Sequence, residues 1–377
     1  MLYWVYMQFL ERTDNGHKNK SKRKRMADKL RTEIAEGTYP IGSKIPSENE
    51  LYRAFSVSRH TVRQAIGVLE NEGLLTRVRG SGTYVRATQA KKPDKTKRIG
   101  VVITYLDDYV FPSIVQGIES VLSENGYTLS LGITYNKVEN EAKALLKMLS
   151  DGVDGLIIEG TKSALPHPNL AIYERIRKNG IPFLFINGYY ENVGNGYVIL
   201  DDVEAGEAVC EELITDGHTR IGGVFKSDDM QGHKRYQGFA NAMGNHGLLI
   251  NDEAVIWYTT EDIEFLFGGD MDDVVLKRIA SLSGIVCYND QIAIKLIDLL
   301  RRHGRNVPEH LSIVSVDNSA LAAPNAYNLT SFEYPASSVG RHAAQGLLCL
   351  LSGNNKHIKI KLNGRLYRRG SVKPYNL

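Results

Sequence analysis

An α/β protein with an N-terminal winged helix-turn-helix and a two-lobed body of parallel sheets is what this sequence predicts, and three observations carry that reading. Net positive charge is confined to one end: residues 18–98 hold 20 Lys and Arg against 8 Asp and Glu, a balance of +12, whereas residues 99–377 hold 25 against 33, a balance of −8. Two short amphipathic helices flank a tight turn inside that basic segment. Beyond it, continuous apolar strands alternate with helices, the pattern of parallel sheets covered on both faces. At 377 residues the chain calls for two or three domains.

A basic head beside an acidic body points to a polyanionic partner for the head alone. Residues 1–10 are apolar, with no basic residue before them and no small-residue cleavage site after, so a signal peptide is not expected. That run is too short to span a bilayer and no later window is long enough, so a cytoplasmic protein without membrane contact is expected. Residues 1–19 form an extension of open status. Cys210, Cys287 and Cys349 make no CxxC pair and no Cys/His ligand spacing, which predicts reduced thiols, no structural zinc and no metal or other cofactor.

The head spans residues 20–86. Nearly continuous charge from Lys18 to Arg25, Lys22 included, leads into a helix with Met26, Leu30 and Ile34 on one face, closed by Gly37. Ser47 opens the next helix, with Glu50 three residues on, a capping box. Phe55-Ser56-Val57 is the turn, and Ser58 caps a helix in which Val62, Ala65, Ile66 and Leu69 recur as a buried stripe. Arg59, His60, Thr61 and Arg63 fall off that stripe, toward whatever the helix docks against. This geometry fits a major groove; a plain helical hairpin with solvated charges is the competing reading. Two short strands follow, 74–79 and 83–86, turned by Gly80-Ser81-Gly82 with Arg79 at the tip. Attached to a helix-turn-helix, such a hairpin suits a phosphate or the minor groove. Residues 87–97 are charged and aperiodic, a linker.

The body spans residues 98–377. Strands are expected at 99–103, 127–131, 155–159, 181–186, 220–224, 254–257, 284–288 and 311–316, with helices between them. The first lobe takes residues 98–199 and 333–360, the second 200–332 and 361–377. Ligands of such folds sit at the carboxyl ends of the strands. There the sequence places Tyr109, Phe111, Glu159, Asn187, Asp228 to Gln231, Asn289-Asp290 and Asp317. Carboxylates and rings in a cleft suit a polyhydroxylated neutral ligand, whose hydroxyls bond the former and whose C–H faces stack on the latter. Ordinary loop polarity is the bland alternative. Arg235 begins a helix after a polar loop, where a salt bridge to Asp228 or Asp229 competes with a ligand role.

These motifs resemble known families. Ile45-Pro46-Ser47-Glu48-Asn49-Glu50-Leu51, Val57 to Ala65 and Gly80 to Val85 resemble the GntR-type winged helix. Arg98-Ile99-Gly100-Val101, Asp151 to Ile157, Gly217 to Ile221, Arg235 to Phe239, Tyr288-Asn289-Asp290 and Ser315 to Asn318 resemble the effector domain of lactose- and galactose-type repressors, relatives of periplasmic sugar-binding proteins. The combination is similar to the L-arabinose repressors of Firmicutes.

The resemblance implies a homodimeric repressor that binds operator double-stranded DNA and is released by a sugar effector, L-arabinose first, with the first lobe's helices after Phe111 and Glu139 at the dimer interface. It assigns the major groove to Arg59, His60, Thr61 and Arg63, and the minor groove to Arg79 and Gly80. Lys22 takes a phosphate, and Ser47, Glu48, Asn49 and Ser58 complete the DNA contacts. For the sugar it assigns Arg235, Asn289, Asp317, Glu159, Asn187, Asp228, Glu333 and the Tyr109/Phe111 loop. Asn187 stands where relatives often carry Asp, and Glu333-Tyr334 is not diagnostic, which leaves the sugar open rather than the class. A sugar-binding transport or chemoreceptor protein, or an enzyme acting on a sugar, is the alternative. The first turn of the body lacks GxGxxG, and no GxSxG, HExxH or Walker A sequence occurs.

Overall fold

The computed structural model describes residues 22–34, 37–78, 80–86, 96–106, 109–354 and 357–375. The expected N-terminal extension, the tip residue Arg79 and most of the expected linker lie outside them. The chain divides into two compact units, residues 1–95 and 96–377.

In the first unit, α1 (residues 22–34), α2 (Glu48–Phe55) and α3 (Arg59–Asn71) enclose a core of Met26, Leu30, Leu51, Val62, Ile66 and Leu69. Ser47 caps α2 reciprocally: its hydroxyl accepts from the Glu50 N–H, and Glu50 accepts from the Ser47 N–H at 2.7 Å. The turn into α3 passes through Ser56 in the left-handed region, and Ser58 then caps α3 by accepting from the Thr61 N–H. β1 (Leu75–Val78) and β2 (Gly82–Val85) form the antiparallel wing. Residues 42–45 add a third edge to it, through the Ile45 N–H to Thr83 O and the Val85 N–H to Ser43 O.

The second unit holds two six-stranded sheets. The first lobe comprises β3 (Arg98–Ile103), α4 (Phe111–Glu124), β4 (Thr128–Ile133), α5 (Val138–Asp151), β5 (Gly155–Glu159), α6 (Leu170–Lys178), β6 (Phe183–Ile186) and β7 (Gly196–Leu200). The second comprises α7 (Asp202–Thr215), β8 (Ile221–Lys226), α8 (Met230–Asn245), β9 (Val255–Tyr258), α9 (Ile263–Phe267), α10 (Asp272–Ile279), β10 (Gly284–Cys287), α11 (Asp290–Arg302), β11 (Ser312–Asp317) and β12 (Thr330–Glu333). The chain then returns: α12 (Ala336–Leu351) packs on α4, β13 (Ile358–Leu362) joins β7, and β14 (Leu366–Tyr367) goes back to β12. Three crossovers therefore link the lobes, at 200–202, 333–336 and 362–366.

Strand order in the first sheet is β13-β7-β6-β5-β3-β4, all parallel; in the second it is β14-β12-β11-β10-β8-β9, parallel but for β14. Connections reverse direction between β3 and β5 in one lobe and between β8 and β10 in the other. At such switch points the loops splay apart and leave a crevice beyond the carboxyl ends of the strands. Both crevices open onto the same inter-lobe space. No helix among the described residues is long and apolar enough to cross a membrane.

Candidate ligand cleft and nucleic-acid interface

Between the lobes lies a cavity of about 650 Å³, within the size range of small-molecule sites. From the first lobe it takes Thr104 and Glu159, at the two strand ends flanking the switch point, with Tyr105, Phe111 and Asn187. Glu159 is buried and accepts from the Thr104 N–H (2.8 Å), the Thr104 hydroxyl (2.6 Å) and the Asn187 amide (3.0 Å). Burial outweighs these bonds and pushes its carboxyl up to about 7. Asn187 sits at φ 57, a left-handed conformation that Asn tolerates. This bends its amide back to Glu159 while its oxygen accepts from the Tyr334 hydroxyl at the second crossover.

From the second lobe come Lys226, Asp229, Arg235, Tyr288, Asn289 and Asp317. Arg235 lies in the second turn of α8 rather than beginning a helix, because Asp229 caps α8 earlier, accepting from the Gly232 N–H at 2.8 Å. Its guanidinium donates to Asp202 (2.9 Å) and to the Tyr288 carbonyl (2.6 Å) and sits over the Tyr288 ring, and it approaches Asp317 at 3.6 Å. The expected competitors for Arg235, Asp228 and Asp229, pair with Lys226 instead. Glycines let α7 and α8 close on each other: a Cβ on Gly206 would lie 2.1 Å from Arg235 O, and one on Gly238 2.1 Å from Val203 O. That approach brings Asp202 to Arg235. Burial raises the Asp202 carboxyl to about 6 against the opposing pull of Arg235.

Asp317 has φ 117 and Asn318 φ 49, two consecutive non-glycine residues in the left-handed half of backbone space. Such conformations cost about 1–3 kcal/mol each and persist where surrounding structure imposes them. Asp317 also bridges the lobes, accepting from the Tyr109 hydroxyl at 2.6 Å. A second set of cross-lobe contacts lies at the rim. The Asn136 amide donates to Thr260 and Asp228, Lys162 pairs with Glu261 at 2.7 Å, and the Met230 N–H donates to Ser163.

Three expected sugar contacts are not on the cavity wall. Tyr109 reaches across the lobes to Asp317 instead, leaving Val110 and Phe111 of the same loop on the wall. Asp228 turns to the rim, where it accepts from the Thr260 N–H and hydroxyl, and its neighbour Asp229 takes the wall. Glu333 ends β12 with its main chain paired to Arg365 and Asp317, so its successor Tyr334 faces the cavity. Phe111, Glu159, Asn187, Arg235, Asn289 and Asp317 line the space, with Asn289 also capping α11. Asp229 and Gln231, named with Asp228 at the same strand end, also line it. Lys226, Tyr288 and Tyr334 escaped the sequence reading, although the polar run that begins with Lys226 at the end of β8 signals the first.

In the first unit, Arg59, His60 and Arg63 are exposed on α3, beside exposed Ser47, Asn49 and Ser58, with Lys22 exposed on α1. Arg63 donates to Glu48 at 2.9 Å, and Glu48 also accepts from Arg77. Thr61 corrects the sequence reading. It is 2% exposed, its hydroxyl bonded to Ser58, because the N-cap turns the third residue of the helix inward onto the core. Gly80 holds φ 78 in the wing turn.

Residues 22–85 match the family described as bacterial regulatory proteins, gntR family, and residues 210–372 match the periplasmic binding protein-like domain. Together with the winged head and the two-lobed cleft, these matches define the class: a transcription regulator with a GntR-type reader and a ligand-binding body. The chain is 40% identical to the arabinose metabolism transcriptional repressor of Halalkalibacterium halodurans, over 87% of this chain and 88% of that protein. It is 39% identical to the protein of the same name from Geobacillus stearothermophilus, over 84% and 88%. It belongs to the family of arabinose metabolism transcriptional repressors. Among solved structures, a LacI-family transcriptional regulatory protein from Corynebacterium glutamicum aligns with a TM-score of 0.60 at 28% identity, over 74% of this chain and 100% of that one.

Proposed function

We propose that this protein is a repressor whose head holds operator DNA and lets go when L-arabinose binds between the lobes. The observation that carries this is the 40% identity to an arabinose metabolism repressor across 87% of the chain. The cleft's chemistry supports it. Asp317 and Asn187 accept from hydroxyls, Arg235 offers a planar fork to adjacent oxygens, and the Phe111 and Tyr288 rings suit C–H faces. The chain is thus a regulator, and not an enzyme acting on a sugar or a transport protein. It works in the bacterial cytoplasm, where its DNA lies.

One head reads too few base pairs for genomic selectivity, so the working form is a homodimer on a near-palindrome, joined through the first-lobe helices α4 and α5. Sugar binding resets the lobes about their crossovers and lowers operator affinity, with a coupling of about 1–3 kcal/mol. A gel shift with the DNA upstream of its own gene tests this: L-arabinose should release the complex and D-glucose should not. Release by glucose, or by neither sugar, would refute it. Sedimentation at micromolar concentration should show a dimer; monomer alone, with and without DNA, would remove that part.

A further inference from the structure

We propose that Asp290, which does not line the cavity, is the positioning residue that holds Asp317 in its sugar-binding pose. The inference rests on the reading of Asp317 as a sugar ligand. Asp317 and Asn318 both sit at positive φ, so their conformation has to be imposed from outside. Asp290 is fully buried at the start of α11, and neither of its oxygens caps that helix, a task that Asn289 performs through the Ile292 N–H. Both oxygens reach instead to the neighbouring strands and the turn beyond them. One accepts from the Ser315 and Ser331 hydroxyls at 2.5 and 2.7 Å, the other from the Ser319 N–H at 2.7 Å.

One carboxylate therefore grips the chain two residues before Asp317 and two residues after it. Ser331 completes the hold, since its oxygen accepts from the Asn318 N–H at 2.9 Å. Out of water, bonds to an ionised acceptor are short and strong, which suits a group that must keep a disfavoured turn in place. An acidic residue in the first turn of a helix would ordinarily be explained by the helix dipole. Here the hydrogen bonds to its side chain come from β11, β12 and the turn between them.

The test is a double-mutant cycle on the full-length protein, with L-arabinose affinity read by calorimetry. In Asp290→Asn the amide nitrogen must face either the Ser319 N–H or the two hydroxyls, so one side loses its acceptor. Asp290→Asn should weaken L-arabinose binding about tenfold in the parent and by less than about twofold in an Asp317→Ala background, because its effect travels through Asp317. An equal loss in both backgrounds means a purely structural role and overturns the proposal, as does no loss in the parent. If Asp317→Ala itself leaves affinity unchanged, the assignment of the sugar site fails instead. Should Asp290→Asn fail to unfold cooperatively, Ser331→Ala, which removes the hydroxyl bridging Asp290 to Asn318, takes its place in the same cycle: a loss that shrinks in the Asp317→Ala background supports the proposal, and an equal loss or none overturns it.

Discussion

Two arginines show how differently the two units are built. Arg63, in the reader, leaves 65% of its side chain exposed and leans on Glu48. Arg235, in the sensor, exposes 3% and is held by Asp202, the Tyr288 carbonyl and the Tyr288 ring. An exposed ion pair contributes about 0–1 kcal/mol, so a partner that binds Arg63 would draw it from Glu48 at little cost. A buried arginine cannot be exchanged in that way, because removing a partner strands an uncompensated charge. On the proposed reading, the reader keeps Arg63 loosely tethered, free to follow whatever edge a groove presents. On the same proposed reading, Arg235 is fixed before a ligand arrives, which lowers the ordering cost of binding a small polar molecule.

Breaking the sensor's arginine should give the largest effect. Arg235→Ala leaves Asp202 buried without its partner, and stability should fall by about 3–5 kcal/mol in urea denaturation. Adding Asp202→Asn should recover part of that loss. In gel shifts the Arg235→Ala protein should still bind operator and no longer release it with L-arabinose. A parent-like sugar response would place the ligand elsewhere.

The reader's arginine should behave in the opposite way. Arg63→Ala should weaken specific operator binding by about 1–3 kcal/mol and change unfolding free energy by less than about 0.5 kcal/mol. Intact operator affinity would remove α3 from the groove.

Acidity should sharpen the contrast further, because the raised carboxyls lie in the sensor. Burial lifts Glu159 from 4.5 to about 7, so between those values the folded state keeps a proton that the unfolded state has released. Its contribution to stability is complete below the lower value and is lost as pH rises through the higher one. Asp202, lifted from 3.8 to about 6, acts in the same direction at lower pH. Between about pH 5 and about pH 8 the parent should therefore lose stability relative to Glu159→Gln, read from urea midpoints. A constant difference would show that Glu159 stays ionised. The smallest effect belongs to Lys22→Ala, which should weaken binding to all DNA sequences alike and reduce the salt slope by about 1.

Local patterns in the chain determined which elements form and what class of molecule they build. The Ser47–Glu50 capping box, the Ser58 cap and the stripe from Val62 to Leu69 each act over a single turn or two, so they can be read from neighbours in sequence. The apolar strand runs likewise announce sheets buried on both faces, and the polar residues at their ends announce a cleft. Orientation within those ends was decided by the tertiary structure. Asp228 and Asp229 are adjacent and chemically alike, yet one ties the rim and the other lines the cavity, because successive residues leaving a strand point to opposite sides. The same one-residue choice sends Tyr334 rather than Glu333 to the wall, and a helix cap turns Thr61 inward. Partners distant in sequence were beyond local patterns as well. Arg235 meets Asp202 only because two glycines let their helices touch, and Tyr109 meets Asp317, 208 residues away, only when the two lobes face each other. Hydrophobic period records which side of an element is buried; what a polar side chain meets there depends on the packing of elements that the period does not encode.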